Sequence, residues 1–329
     1  MRPSDDPRAN PIDDEGEILV VGAGVIGLTS AICLAEAGLA VRVRTALPSR
    51  QSTSRVAGAI WASSVAEPAV EVRRWASTGL GEFRSLAERA NTGVRIARGR
   101  IASRRSGEPP PDIFPGVELR PSDRVPVGFL GAFTVSLPLI DMPRYLDYLA
   151  GRLAGAGGVI ELGPLGDLGE AAEQASRVVN CAGVGARDLA ADPALHAVRG
   201  EHVVVANPGL EEFFVEQPRD DEWTCFFPHG ERVVLGGNAT QDDWSLDVDR
   251  AGAERILARC AQVEPRLKDA RIIEHQVGLR PTRAVIRVQR EPLGAATVVH
   301  NYGHGGSGVS LSWGCARDVL REVLAEPGS

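Results

Sequence analysis

Lysine is almost absent from this chain of 329 residues: of its 36 basic residues, all but Lys268 are arginine. Lys268 sits in the polar run Glu264-Pro265-Arg266-Leu267-Lys268-Asp269, so chemistry that needs a desolvated lysine has one poor candidate. The five cysteines, Cys33, Cys181, Cys225, Cys260 and Cys315, are odd in number, widely spaced and never in a CxxC pair. That argues against a disulfide framework or a zinc site, and the six histidines form no HExxH pattern. No metal is expected. No apolar stretch approaches the roughly 20 residues that cross a bilayer. No long run carries one charge sign, and the net charge is -7, which argues against nucleic acid or an anionic membrane as the main partner. Residues 1–16 lack the order of a signal peptide and read as a flexible N-terminal arm. The end, Glu326-Pro327-Gly328-Ser329, is no peroxisomal address. A cytoplasmic location is the default expectation.

What is present begins at the front. Ile18-Leu19-Val20-Val21 is a continuous apolar run, as for a strand buried on both faces. Gly22-Ala23-Gly24-Val25-Ile26-Gly27 follows at once, then a helical stretch that ends at Gly38, then the short strand Val41 to Arg44. In this GxGxxG turn Gly22 permits the tight bend, Gly24 lets a pyrophosphate approach the backbone, and Gly27 lets helix and strand pack closely. The acidic residue that such a unit uses for ribose hydroxyls, about 20 positions on, is missing: the strand ends Arg44-Thr45-Ala46. Arg44 raises NADP as an alternative, against the plainer reading of a solvated strand arginine. The turn therefore indicates a dinucleotide without saying which.

Further along, helical spacing covers 70–89, with Val72, Trp75, Leu80, Phe83 and Leu86 inward, and also 142–156 and 251–260. Loops fill 103–127. Arg177 to Asn180 reads as a second buried parallel strand, Glu201 to Ala206 and Arg232 to Leu235 as strands of another sheet, and Thr297 to Val299 as a strand before a final helix over 313–324. Nucleotide-type turns thus lie at the front, near 180 and near 300. One nucleotide domain built from separated segments, with a second domain threaded through it, is expected.

His300-Asn301-Tyr302-Gly303-His304-Gly305-Gly306-Ser307-Gly308 resembles the HNYGHGGxG signature of the D-amino acid oxidase and D-aspartate oxidase family. Gly278-Leu279-Arg280-Pro281-Thr282-Arg283 is similar to that family's GxRPxR segment. Val56-Ala57-Gly58-Ala59-Ile60-Trp61 resembles its VAAGLW stretch, and Val179-Asn180-Cys181-Ala182-Gly183 its VNCTG turn. The matches run in the family's order over nearly the whole chain. The fold that this implies is α/β: a Rossmann-like FAD-binding domain from 17–65, 140–198 and 276–329, interleaved with an antiparallel-sheet (α+β) substrate domain from 66–139 and 199–275. The resemblance implies FAD, bound non-covalently and extended, with its pyrophosphate at Gly22, Ala23, Gly24, Val25, Ile26 and Gly27. Thr45, Ser52, Thr53 and Ser54 would lie near its phosphates and ribose, and Gly183 and Val184 would also touch it. Ala57, Gly58, Ala59 and Ile60 would line the ring, with Gly305, Gly306, Gly308, Val309 and Ser310 on the tail side. Three glycines in four positions let backbone amides approach a flat cofactor unobstructed.

The implied reaction moves a hydride from the α-carbon of a D-amino acid to flavin N5, giving an imino acid (then a 2-oxo acid and ammonia), with oxygen as acceptor and peroxide as product. The protein needs an anchor for the carboxylate and an acceptor for the amine. Arg283 matches the family's carboxylate-binding arginine, a task that suits a planar, bidentate guanidinium. The carbonyl of Gly306 matches the family's amine acceptor. The chain departs from the pattern where two active-site tyrosines are expected: Asp221 and Cys225 stand there, near Trp223. Ala62-Ser63-Ser64 replaces larger groups, so Ser64 joins the expected pocket. A missing phenol should cost about 1 to 3 kcal/mol if its partner stays buried; Trp223 or His229 is a candidate replacement donor. That departure keeps open an oxidase of another amine or imino acid, such as glycine or sarcosine, and a flavin-binding protein without catalysis. A homodimer is a family-level expectation.

Overall fold

The computed structural model describes residues 16–62, 66–109, 116–217 and 221–325. β1 (Ile18–Val21), α1 (Val25–Glu36) and β2 (Val41–Thr45) form the opening unit. α2 (Ala69–Ala87) leads to β3 (Val94–Ser103), β4 (Arg120–Pro121) and β5 (Gly131–Ile140). α3 (Met142–Gly155), β6 (Val159–Leu162), α4 (Leu168–Ala172), β7 (Arg177–Asn180) and α5 (Ala186–Leu189) follow. β8 (His196–Ala206), β9 (Phe213–Glu216), β10 (Glu222–His229), β11 (Arg232–Asn238) and β12 (Thr240–Gln241) precede α6 (Arg250–Val263). The hairpin of β13 (Ile272–Leu293) and β14 (Ala296–His304) then feeds α7 (Gly308–Leu324).

Among the described residues the strands form one sheet in the order β4-β5-β3-β9-β10-β11-β8-β13-β14-β7-β1-β2-β6, with β12 on β8. The run β14-β7-β1-β2-β6 is parallel throughout. From β13 to β9 the pairing is antiparallel. The 22-residue β13 joins the two regions, because its first half pairs with β8 and its second half with β14. The domain boundaries expected at 198 and 276 fall inside β8 and β13, and β13 is the strand that runs from one region into the other.

β1 explains its own composition. Ile18 and Val20 join the core with α1, α3 and α7; Leu19 and Val21 face the opposite side, against Leu168, Ala171 and Val178. A strand covered on both faces reads as a continuous apolar run. α1 begins at Val25, three residues before the helical stretch evident in the sequence, so the GxGxxG segment supplies its first turn. α7 likewise begins at Gly308 rather than near 313.

α2 packs on α7 by backbone contact. A Cβ on Gly79 would run into the Ser310 carbonyl oxygen, and one on Gly314 into the Trp75 backbone. Asp318 of α7 fastens the pair: its carboxylate accepts from Arg74 Nη1 at 2.8 Å and from Trp75 Nε1 at 2.8 Å, and it also pairs with Arg321. Burial alone would raise this carboxyl, but those donors outweigh it and hold it below its ordinary range.

Gly314→Ala should destabilise the protein by about 1 to 3 kcal/mol through overpacking, visible as a lower Tm by calorimetry. Asp318→Asn should also be destabilising near pH 7. The Asp318 carboxyl is depressed in the fold, so its contribution is present above the unfolded pKa and lost on acidification. The stability gap between wild type and variant should therefore close below about pH 4 in denaturant titrations.

Candidate active site

The C-terminal ends of β1, β7 and β14 open onto a cavity of about 1320 Å³ that reaches the antiparallel region. Its wall includes 22–26, Thr45, 52–60, Gly183, Val184 and 303–310. Trp223, Cys225, Arg280 and Arg283 line it as well. Most of the residues expected at the cofactor and the substrate are therefore neighbours, although they are separated by up to about 290 positions in the chain.

The glycine turn has the geometry its spacing requires. Gly22 adopts φ +103°, and a Cβ there would lie 2.5 Å from the Cys181 carbonyl oxygen. A Cβ on Gly27 would strike the Gly22 carbonyl oxygen, so Gly27 packs α1 onto the turn and is not itself part of the cavity wall. Ser54 crosses to this end of the helix, where its Oγ accepts from Val25 N at 3.0 Å. Arg44, on the cavity wall, is already engaged: Nη1 donates to Gln174 Oε1 at 2.9 Å, and Glu170 lies 3.8 Å from the guanidinium.

The 57–60 segment is pinned across the sheet. Ile140 N donates to the Ala59 carbonyl and Trp61 N to the Pro138 carbonyl, each at 2.9 Å. Ala59 holds φ +28°, an unusual value for a residue with a Cβ, as occurs at functional sites. A Cβ on Gly58 would meet the Phe227 ring at 2.8 Å and His202 at 3.3 Å. The hydroxyl of Ser310 accepts from Ala62 N at 3.1 Å, tying the start of α7 to the same segment.

No aspartate or glutamate lines the cavity among the described residues, whereas five arginines do: Arg44, Arg50, Arg55, Arg280 and Arg283. Arg50 pairs with Asp147, Arg55 with Glu274 and Arg44 with Glu170. Arg283, expected to anchor a carboxylate, is already engaged. Its Nε lies 3.0 Å from Asp192 Oδ2, close enough for an ion pair although not aligned as a hydrogen bond, and Nη1 donates to the Val285 carbonyl at 2.8 Å. Asp192 is buried and also accepts from the Tyr302 hydroxyl at 2.7 Å.

Arg280 differs from the other four. Its Nη1 donates to the carbonyls of Asn238 at 3.0 Å and Arg199 at 3.3 Å, and its guanidinium lies 5.8 Å from the Trp223 ring. A Cβ on Gly306 would be 3.6 Å from Arg280 Cδ, so the tail glycines and this guanidinium share one corner. Burial works against its charge, and no described carboxylate pairs with it. An unpaired buried cation calls for an anion. Arg280, three residues before Arg283 on β13, is thus the lining arginine without a described carboxylate partner, whereas Arg283 lies beside Asp192.

Other expectations also change. Asp221 is exposed at the start of β10 and does not line the cavity. His229 lies in a separate groove with Arg95 and Asp141, so it supplies no donor to this site. Ser64 lies outside the described residues. Cys225 does line the cavity, but burial pushes its thiol up to about 12, which keeps it protonated and a poor nucleophile. Sequence reasoning missed His202 altogether, and a lone histidine in an apolar strand carries no signal that would mark it.

The cavity suits a long, anionic, dinucleotide-type cofactor. The N-terminus of α1 opens into it, and bare glycine backbone lines two of its walls. Besides Arg283 Nε, three described lining residues each hold a buried side-chain polar atom without a hydrogen-bond partner: His275 Nδ1, Asn301 Oδ1 and His304 Nε2. Among known families, the model described as FAD dependent oxidoreductase (DAO) matches residues 17–321. The chain belongs to this DAO family of FAD-dependent oxidoreductases. It is 45% identical over 305 residues to the D-amino-acid oxidase of Rubrobacter xylanophilus, covering 92% of this chain and 94% of that one. To the D-amino-acid oxidase of Streptomyces coelicolor it is 43% identical over 318 residues, 94% and 98% of the two chains. Among solved structures, glycine oxidase from Geobacillus kaustophilus superposes with a TM-score of 0.77 at 18% identity, over 94% of this chain and 96% of that one, a likeness of fold. No described helix is long and apolar enough to cross a membrane.

As a DAO-family member the protein takes FAD as its cofactor, and the glycine turn and Ser54 are the groups to test. Gly24→Val should abolish flavin retention, because the new side chain would fill the approach to the α1 amides beside Ser54. Ser54→Ala should weaken it about tenfold. Flavin released on denaturation, measured per mole of purified protein, reads both.

Proposed function

We propose that this protein is a D-amino acid oxidase that converts a D-amino acid and oxygen into the imino acid and hydrogen peroxide. The imino acid then hydrolyses to a 2-oxo acid and ammonia. The observation that carries this reading is Arg280: a guanidinium whose charge burial opposes, with no described carboxylate partner, beside Gly306, in a cavity whose described lining holds no acid. The two bacterial relatives named D-amino-acid oxidase, at 43% and 45% identity, support the choice of substrate class.

Bound FAD supplies the two-electron acceptor. The protein's own part is binding and orientation. Arg280 receives the substrate carboxylate through two N–H groups, while its contacts to the Asn238 and Arg199 carbonyls keep the guanidinium in place. The Gly306 carbonyl accepts from the amine. Ile101, Val215, Phe227 and Leu279 contribute apolar wall, which excludes water and strengthens the charge pairing. Cys225 and Trp223 occupy the place where a phenol is expected, so the carboxylate relies on Arg280 more heavily. A described lining without acids disfavours D-lysine and D-arginine relative to neutral substrates.

Holoprotein should be yellow and should bleach under anaerobic conditions with D-alanine but not with L-alanine. Absence of bleaching across a panel of D-amino acids would sink the reading. Arg280→Ala should retain flavin yet lower kcat/KM for D-alanine by roughly two orders of magnitude, the equivalent of about 3 kcal/mol for a buried, charge-assisted contact. Arg280→Lys should recover little of it, because an ammonium cannot make the bidentate contact. Arg283→Ala should act mainly on stability, by leaving Asp192 buried with fewer partners.

A further inference from the structure

His202 lies on β8 between the 57–60 segment and β10–β11. Its Nδ1 is 2.8 Å from the Val56 carbonyl oxygen. A carbonyl oxygen only accepts, so Nδ1 carries the ring proton. Burial first, then the charge of Arg280, push the imidazole down to about 4. The ring is therefore neutral near pH 7, and Nε2 is a bare lone pair.

That lone pair has no protein donor among the described residues, and His202 lines the cavity. Its surroundings are defined by Gly236. A Cβ built there would lie 2.9 Å from His202 Nε2 and 3.1 Å from Cys225 Sγ. Nε2 thus shares a stretch of wall with Cys225, on the side where Arg280 acts on both groups. The described lining offers five arginines and no carboxylate. A substrate with its carboxylate on Arg280 brings an amino group whose N–H bonds need acceptors, or its desolvation goes uncompensated.

We propose that His202 Nε2 accepts a hydrogen bond from the amino group of the substrate, so that Arg280 and His202 together select α-amino acids over simple carboxylates. The proposal rests on the reading of Arg280 as the carboxylate anchor. It gives this chain a second amine acceptor besides the Gly306 carbonyl.

The test compares D-alanine with benzoate, a carboxylate that has no amine. Binding of benzoate to the holoenzyme is read from the flavin absorbance spectrum, and binding of D-alanine from anaerobic flavin reduction. His202→Leu should weaken D-alanine about tenfold or more and leave benzoate within about twofold. His202→Gln, whose amide oxygen reaches near the position of Nε2, should recover most of the D-alanine affinity. An unchanged D-alanine affinity in His202→Leu overturns the proposal. Equal weakening of both ligands also overturns it, since His202 would then act only through packing around Arg280. If His202→Leu loses its flavin, His202→Phe is read by the same criteria, as a ring of similar size without an acceptor. Arg280→Ala separates the two readings: it should weaken both ligands, and undiminished benzoate binding there removes the anchor assignment, whatever His202 does.

Discussion

α1 approaches the turn after β1 so closely that neither Gly22 nor Gly27 has room for a side chain. This contact aims the first turn of the helix into the cavity. It also brings Cys181 of the neighbouring β7 turn against Gly22, so two parallel strands end at one level. Ser54 then joins the helix end to the 57–60 segment, and Ser310 joins that segment to α7. α7 is held in turn by α2 through Gly79, Gly314 and Asp318. A chain of short backbone approaches therefore sets the depth of the cavity, and each link depends on a glycine or a small hydroxyl.

The electrostatics follow a single pattern. The wall is cationic, and four of its five arginines are neutralised by carboxylates outside the described lining. Asp192 shows how this is done. Burial would raise its carboxyl, but the Tyr302 hydroxyl and then the Arg283 charge outweigh that and keep it ionised. The fifth, Arg280, has no described carboxylate partner, and its contacts are to the Asn238 and Arg199 carbonyls.

Much of this was legible along the chain. The GxGxxG turn works because strand, turn and helix are local, and steric demands on glycine act between residues a few positions apart. The HNYGHGGSG run is similarly local, and the segments named from it meet in one cavity. The β3 sequence, by contrast, mixes arginines with apolar residues, and β13 is half-buried along much of its length. Such strands carry no clean alternation, so the antiparallel region was only partly visible.

The sequence by itself determined the family, the cofactor class and the glycine-lined cradle, because these rest on short-range geometry. Both arginines of the 278–283 segment line the cavity, and tertiary structure alone decided which of them is already paired with a carboxylate. On β13, Arg280 and Arg283 point to different surroundings, and a bulge between Thr282 and Arg287 disturbs the alternation. Neither face is named by the residues themselves: Arg283 is claimed by Asp192, 91 positions away, whereas Arg280 bonds to backbone carbonyls and has no carboxylate partner among the described residues. The same holds for His202, an unremarkable position in a strand until Val56 orients its ring and the missing side chain of Gly236 lets that ring pack against β11.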